Sequence, residues 1–144
     1  MENGYKAVAA AAGAVLGILA GIPPILWILI GVMTLDYITG LMTGLMGVSG
    51  KTEGGGLSSR AAFEGLMRKV MVLGVVMLAV LLDLAVQMGA GVSFSAVTGA
   101  TCLWFVASEG VSVVENAAQM GLPIPKVLMQ ALEIMKKSGE AQPE

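Results

Sequence analysis

Four carboxylates lie within or at the edges of long apolar runs: Asp36, Asp83, Glu109 and Glu115. An acid in such a setting can carry a proton, face water, or act as a hydrogen-bonding group between helices. Asp36 sits near the middle of its run, where an ionised carboxylate costs about 2.5–3.5 kcal/mol on insertion scales. Asp83 and Glu109 lie closer to run ends, and Glu115 falls at an interface with water. No lysine or arginine lies inside the runs 25–48, 70–88 and 92–114, which leaves these acids without an ion-pair partner there. Histidine is absent, which removes imidazole metal sites and His-based acid–base chemistry. The one cysteine, Cys102, sits in an apolar run and has no internal disulfide partner. The residues therefore indicate no enzyme, no metal and no cofactor.

Two polar stripes accompany the acids. Asp36, Thr39, Gly40, Thr43, Gly44 and Gly47 recur at i, i+3, i+4, i+7, i+8 and i+11, one face of a helix. Thr98, Thr101, Cys102, Ser108, Glu109, Ser112, Glu115 and Asn116 form a second stripe, interrupted by Phe105. A polar stripe on an apolar helix faces protein or water, not lipid. It either bonds neighbouring helices or lines an aqueous lesion after assembly. A third row, Gly13, Gly17 and Gly21 continued from Ala9, is flat enough for close helix approach in lipid. Such faces serve packing within a protomer or self-association, and the two uses are compatible.

The elements carrying these residues follow from hydrophobicity. The chain has 144 residues, 56% hydrophobic and 12% charged, with mean hydropathy +0.85. Soluble domains are about 45–50% apolar and about a quarter charged, and so small a domain cannot hide this excess from water. A bilayer can. Runs 25–48, 70–88 and 92–114 each match the ~20 residues needed to cross the hydrocarbon core as a helix. Residues 7–21 form a shorter, weaker run closed by Pro23-Pro24. It reads as a first span, as a signal peptide (with Ile18 where a small residue is wanted), or as an interfacial segment. The predicted fold is all-α: a multi-pass transmembrane bundle in a single domain, 1–137, with a tail over 138–144.

Between the runs, 49–69 reads as a loop with a flexible glycine run at 54–56. Ser58 or Ser59 is placed to cap a short helix there. Gly121-Leu122-Pro123-Ile124-Pro125 stops the last span, and an amphipathic cytoplasmic helix over 125–137 follows. Leu128, Ala131, Leu132 and Met135 share its apolar face. Lys51, Arg60, Arg68 and Lys69, with Lys126, Lys136 and Lys137, place the 49–69 loop and the C-terminus in the cytoplasm by the positive-inside rule. Three or four spans satisfy these charges equally. Trp27 marks a span end as an interface anchor, whereas Tyr37 and Trp104 read as packing residues. Net charge of −2 gives no reason to expect a nucleic-acid partner.

Several motifs in order resemble the toxin-secretion/phage-lysis holin family (phage holin family 4). They are Asp36-Tyr37-Ile38-Thr39-Gly40, then Ser58-Ser59 with Gly65-Leu66-Met67-Arg68-Lys69, then Asp83. The most specific is Ala107-Ser108-Glu109-Gly110-Val111-Ser112-Val113-Val114-Glu115-Asn116-Ala117, followed by Gly121-Leu122-Pro123-Ile124-Pro125. The Ala/Gly-rich start and the insertion near 51–56 depart from the family's usual pattern. The resemblance implies a protein that accumulates in the bacterial cytoplasmic membrane and self-assembles into lethal lesions. Through these a phage murein hydrolase (endolysin) reaches the wall, or a toxin leaves the cell. Asp36, Thr39, Gly40, Thr43, Gly44, Asp83, Ser108, Glu109, Ser112, Glu115 and Asn116 are the candidate assembly and pore residues. The main alternative is a small ion or proton channel, or an ion-coupled transporter, built on Asp36 and Glu109. A membrane scaffold anchoring a soluble partner through 125–137 is a third.

Overall fold

The structure, a computed structural model, describes residues 4–6, 9–10, 12–13, 21–93 and 95–139. The described elements are helical, and three helices are long and apolar enough to cross a membrane. Most of the 7–21 run, Gly17 included, lies outside the described residues, as do 140–144. Nothing described lies within 4 Å of a Cβ built on Gly13, and Gly21 is exposed.

Helix α1 (Pro24–Leu45) starts with proline at its first position, where no N–H is needed. It ends in a Schellman motif: left-handed Gly47 donates to Gly44 O, and Val48 N donates to Thr43 O. Gly47, expected to extend the α1 stripe, instead turns the chain.

The expected loop 49–69 is shorter than the sequence suggests. Ser58 caps a helix by accepting from Ala61 N, and that helix runs unbroken as α2 (Ser59–Ala90), 32 residues long. At 1.5 Å per residue it spans about 48 Å, well beyond the ~30 Å hydrocarbon core. Its first turns, bearing Arg60, Glu64 and Arg68, therefore project past the apolar part.

The connection 46–58 is folded, contrary to the flexibility its glycines suggest. Ser49 N donates to Gly55 O at 2.9 Å, and Thr52 Oγ1 to Gly56 O at 2.7 Å. Gly55 has φ +74 and sits so close to Gly47 that a Cβ would lie 2.3 Å from the Gly47 carbonyl oxygen. Only glycine fits there.

Helix α3 (Ala96–Gln119) ends in a second Schellman motif at Gly121, and Pro123 follows. Helix α4 (Lys126–Gly139) then folds back along α3. A Cβ built on Gly110 would meet Leu132 Cδ2 at 2.6 Å, and one on Gly139 would lie 2.8 Å from Trp104 N. Of the expected apolar face of α4, Leu132 and Met135 pack inward, while Leu128 and Ala131 stay exposed.

Helix α3 is the central element, packed against α1, α2 and α4, whereas α1 and α2 touch little. The core contains Leu29, Met33, Val72, Val76, Cys102 and Val106, joined by Phe105 and Met135. Trp104 stacks edge-on against Phe105 with centroids 5.0 Å apart, and Trp27 is exposed near the start of α1. Outside this small core the molecule is inverted relative to a soluble protein. Leu35, Ile38, Met71, Met77, Leu78 and Leu81 point outward, so lipid is the solvent that suits this surface.

Candidate functional site

The α1 stripe brings Asp36 to the side of the helix facing α3, where Glu109 and Asn116 lie two turns apart on one face. Lys69 reaches the same point from α2. Its Nζ donates to Asp36 Oδ2 at 2.6 Å and to Glu109 Oε2. Asn116 Nδ2 donates to Asp36 Oδ1 at 3.1 Å and to Thr39 Oγ1 at 3.0 Å. Thr39 Oγ1 in turn donates back to the carbonyl of Leu35 at 2.9 Å. The lysine and carboxylate side chains of both ion pairs are only 11–12% exposed. One cation and two carboxylates, all ionised, carry a formal charge of −1.

This corrects the expectation that the acids in the spans lack a partner. The sequence reads Lys69 as the end of a loop, but α2 starts ten residues earlier and carries it into the bundle. The signal was present in the spacing. Lys69, Val72, Val76, Ala79 and Asp83 recur at i, i+3, i+7, i+10 and i+14, and this is the inward stripe of α2.

Asp83 belongs to another site. Its two oxygens accept from Val97 N at 3.1 Å and Thr98 N at 2.8 Å. Ser95, at the N-cap position of α3, makes no side-chain cap bond. Asp83 thus supplies the cap from the neighbouring helix, a carboxylate at the positive end of the α3 dipole.

The remaining candidates spread around the network. Gly40 lies beside Asn116, with 3.7 Å from a built Cβ to Nδ2, and Gly44 lies against Leu57. Thr43 is buried and donates to Gly40 O. Ser112 Oγ accepts from Lys51 Nζ at 3.4 Å, and Gln119 Oε1 accepts from Gly50 N, tying the 46–58 connection to the end of α3. Ser108 is half-buried and Glu115 exposed. The α3 stripe therefore faces mainly inward: Thr98, Cys102, Glu109 and Asn116 are all buried.

A polar cavity of about 480 Å³ opens above the network, lined by Lys51, Glu64, Arg68, Ser108, Ser112 and Glu115, with Asp36, Lys69 and Glu109 also on its wall. The apolar core begins beyond the network. Among the described residues no group of three or more Cys, Asp or Glu is arranged to hold a metal. The carboxylates are engaged by Lys69 and Asn116. What the arrangement can do is bind three helices together through charge in a place that water reaches from one side.

The model of the bacteriophage holin family matches residues 13–137. An uncharacterised protein of Halalkalibacterium halodurans is 36% identical over 113 residues, covering 78% of each chain. A probable holin of Bacillus phage phi105 is 33% identical over 88 residues, 61% of this chain and 62% of that one. An uncharacterised protein of Listeria monocytogenes is 32% identical over 131 residues, 89% of this chain and 84% of the relative. No solved structure matches. Matched over nearly its whole described length, and built of three membrane-length helices, the chain belongs to the bacteriophage holin family.

Proposed function

We propose that this chain oligomerises in the bacterial cytoplasmic membrane and forms lesions that release an endolysin, or a toxin, and so trigger lysis. The observation that carries this reading is holin-family membership together with three membrane-length helices whose apolar side chains face outward. Asp36, Lys69 and Glu109 line a polar cavity of the protomer, and Leu29, Met33, Val72, Val76, Cys102 and Val106 pack as an apolar core among the helices. Passage of a folded enzyme requires several copies. The protein acts without catalysis, by self-association in lipid.

Orientation follows from the charges. Lys51, Arg60, Arg68 and Lys126 cluster at the end holding the 46–58 connection and the 120–125 turn. That end lies in the cytoplasm on this reading, but the C-terminal helix expected there runs back along α3, with Gly139 at Ala100 and Trp104. The connection 91–95 carries no positive charge and lies outside.

A second reading, an ion or proton channel, draws on the acids at the cavity wall. Inducible expression in bacteria with and without a cytoplasmic murein hydrolase separates the two. The lesion reading predicts abrupt growth arrest with depolarisation in both strains, and lysis only with the hydrolase. Steady growth and an intact membrane potential, with the protein inserted, would refute it.

A further inference from the structure

Helix α4 presents three faces. Leu132 and Met135 turn toward α3 and the core. Val127 and Ile134 form an exposed apolar flank. Lys126, Gln130, Glu133 and Lys137 occupy the third, at i, i+4, i+7 and i+11, so the polar strip runs almost the whole helix. All four are exposed, and Glu133 and Lys137 pair at 3.4 Å with side chains 67% and 74% exposed.

Depth makes this strip unusual. Leu132 sits at Gly110, near the middle of α3, and Gly139 at Ala100 and Trp104, toward the opposite end of that helix. Gln119 marks the charged end, and Trp104 lies about 22 Å from it along the helix. Charges held at that depth cannot face acyl chains; they need water or protein. The buried part of the α3 stripe is committed to partners inside the protomer, with Cys102 fully buried and Glu109 and Asn116 bonded to α2 and α1, while Ser108, Ser112 and Glu115 line the cavity at the charged end. A charged surface at membrane depth remains free on α4.

We propose that α4, not the polar stripe of α3, lines the water-filled lumen of the assembled lesion, with Lys126, Gln130, Glu133 and Lys137 facing the passage. The proposal rests on the lesion-forming function above. Gly139 is the seat that holds α4 in this position, because a Cβ there would lie 2.8 Å from Trp104 N and 2.9 Å from Ala100 O. The apolar flank on Val127 and Ile134 lets the same helix border lipid or a neighbouring copy while its polar strip stays wet.

The test uses full-length chains in liposomes loaded with a folded fluorescent protein. The natural chain carries one thiol, at Cys102. Three variants carry C102S with Gln130→Cys, Lys137→Cys or, on the exposed 46–58 connection, Glu53→Cys. Maleimide-linked polyethylene glycol is added after release has begun, and its attachment is read by gel shift. Polymer at 130 and at 137 should each slow release roughly tenfold, as expected of groups in the passage itself. The natural chain should remain unmodified, and polymer at 53 should leave release unchanged. Unaltered release after modification at 130 and 137, thiols there that never react, or modification of Cys102 with slowed release would each overturn the assignment. Liposomes that release no protein with any chain would instead overturn the lesion function on which it stands.

Discussion

Two buried aspartates in this molecule solve the same problem in opposite ways. Asp83 is satisfied by two backbone amides only 14 and 15 residues along the chain, at the start of the helix that follows its own. Asp36 is satisfied by side chains 33 and 80 residues away, on two other helices. The first arrangement is local, and any correctly turned α2–α3 hairpin rebuilds it. The second exists only while α1, α2 and α3 stand in one register. The difference separates a hairpin fastener from a register lock.

The largest effect belongs to the lock. Lys69→Met leaves two carboxylates buried against each other, and breaking a buried pair in this way costs about 3–5 kcal/mol. Detergent-solubilised Lys69→Met should lose most of its thermal stability. The triple variant Lys69→Met, Asp36→Asn, Glu109→Gln, with no net charge left to bury, should recover much of it. Equal damage in both would show that packing around Lys69, not charge, holds the register.

Removing the fastener should cost less. Asp83→Ala deprives α3 of its cap, worth about 0.5–2 kcal/mol, and hydrogen exchange should rise at Val97 and Thr98 while the network stays protected. Spread of that exchange to residues 109–116 would mean that the two ends are coupled. Gly44→Leu should fall in a similar range, about 1–3 kcal/mol for overpacking, because a Cβ already meets Leu57 at 3.1 Å. On the proposed function it should also delay lysis at matched protein levels. Gly40→Ala, with its nearest neighbour at 3.7 Å, should do less. Arg60→Ala should change neither stability nor lysis time, since its pair with Glu64 is solvent-exposed.

What sequence revealed and what it concealed follow the same division between local and distant. The three spans, the α1 face containing Asp36, Thr39, Gly40 and Thr43, the Ser58 cap and the Gly121 stop are all written in nearby residues, and the structure contains each. The spacing of Lys69 with Val72, Val76, Ala79 and Asp83 marks it as inward-facing, but its partners lie on other helices and are not written there. The polar residues of α3 looked equally suited to water or to neighbours. Lys69 and Asn116 decide for neighbours, through contacts no spacing along α3 encodes. The glycines of 54–56 read as freedom when taken singly, and their order depends on Gly47 approaching from the end of α1. The return of α4 along α3 depends on the close approach of Gly139 to Trp104 and Ala100, which sequence presents as the start of a tail.

The proposed function requires copies of this chain to open a passage wider than any single protomer contains. Liposomes holding both a small fluorescent dye and a folded protein of hydrolase size test that requirement directly. The account predicts that the natural chain, once assembled, releases both together. Release of the dye with complete retention of the protein would contradict it and assign the Asp36–Lys69–Glu109 network to an ion pathway instead.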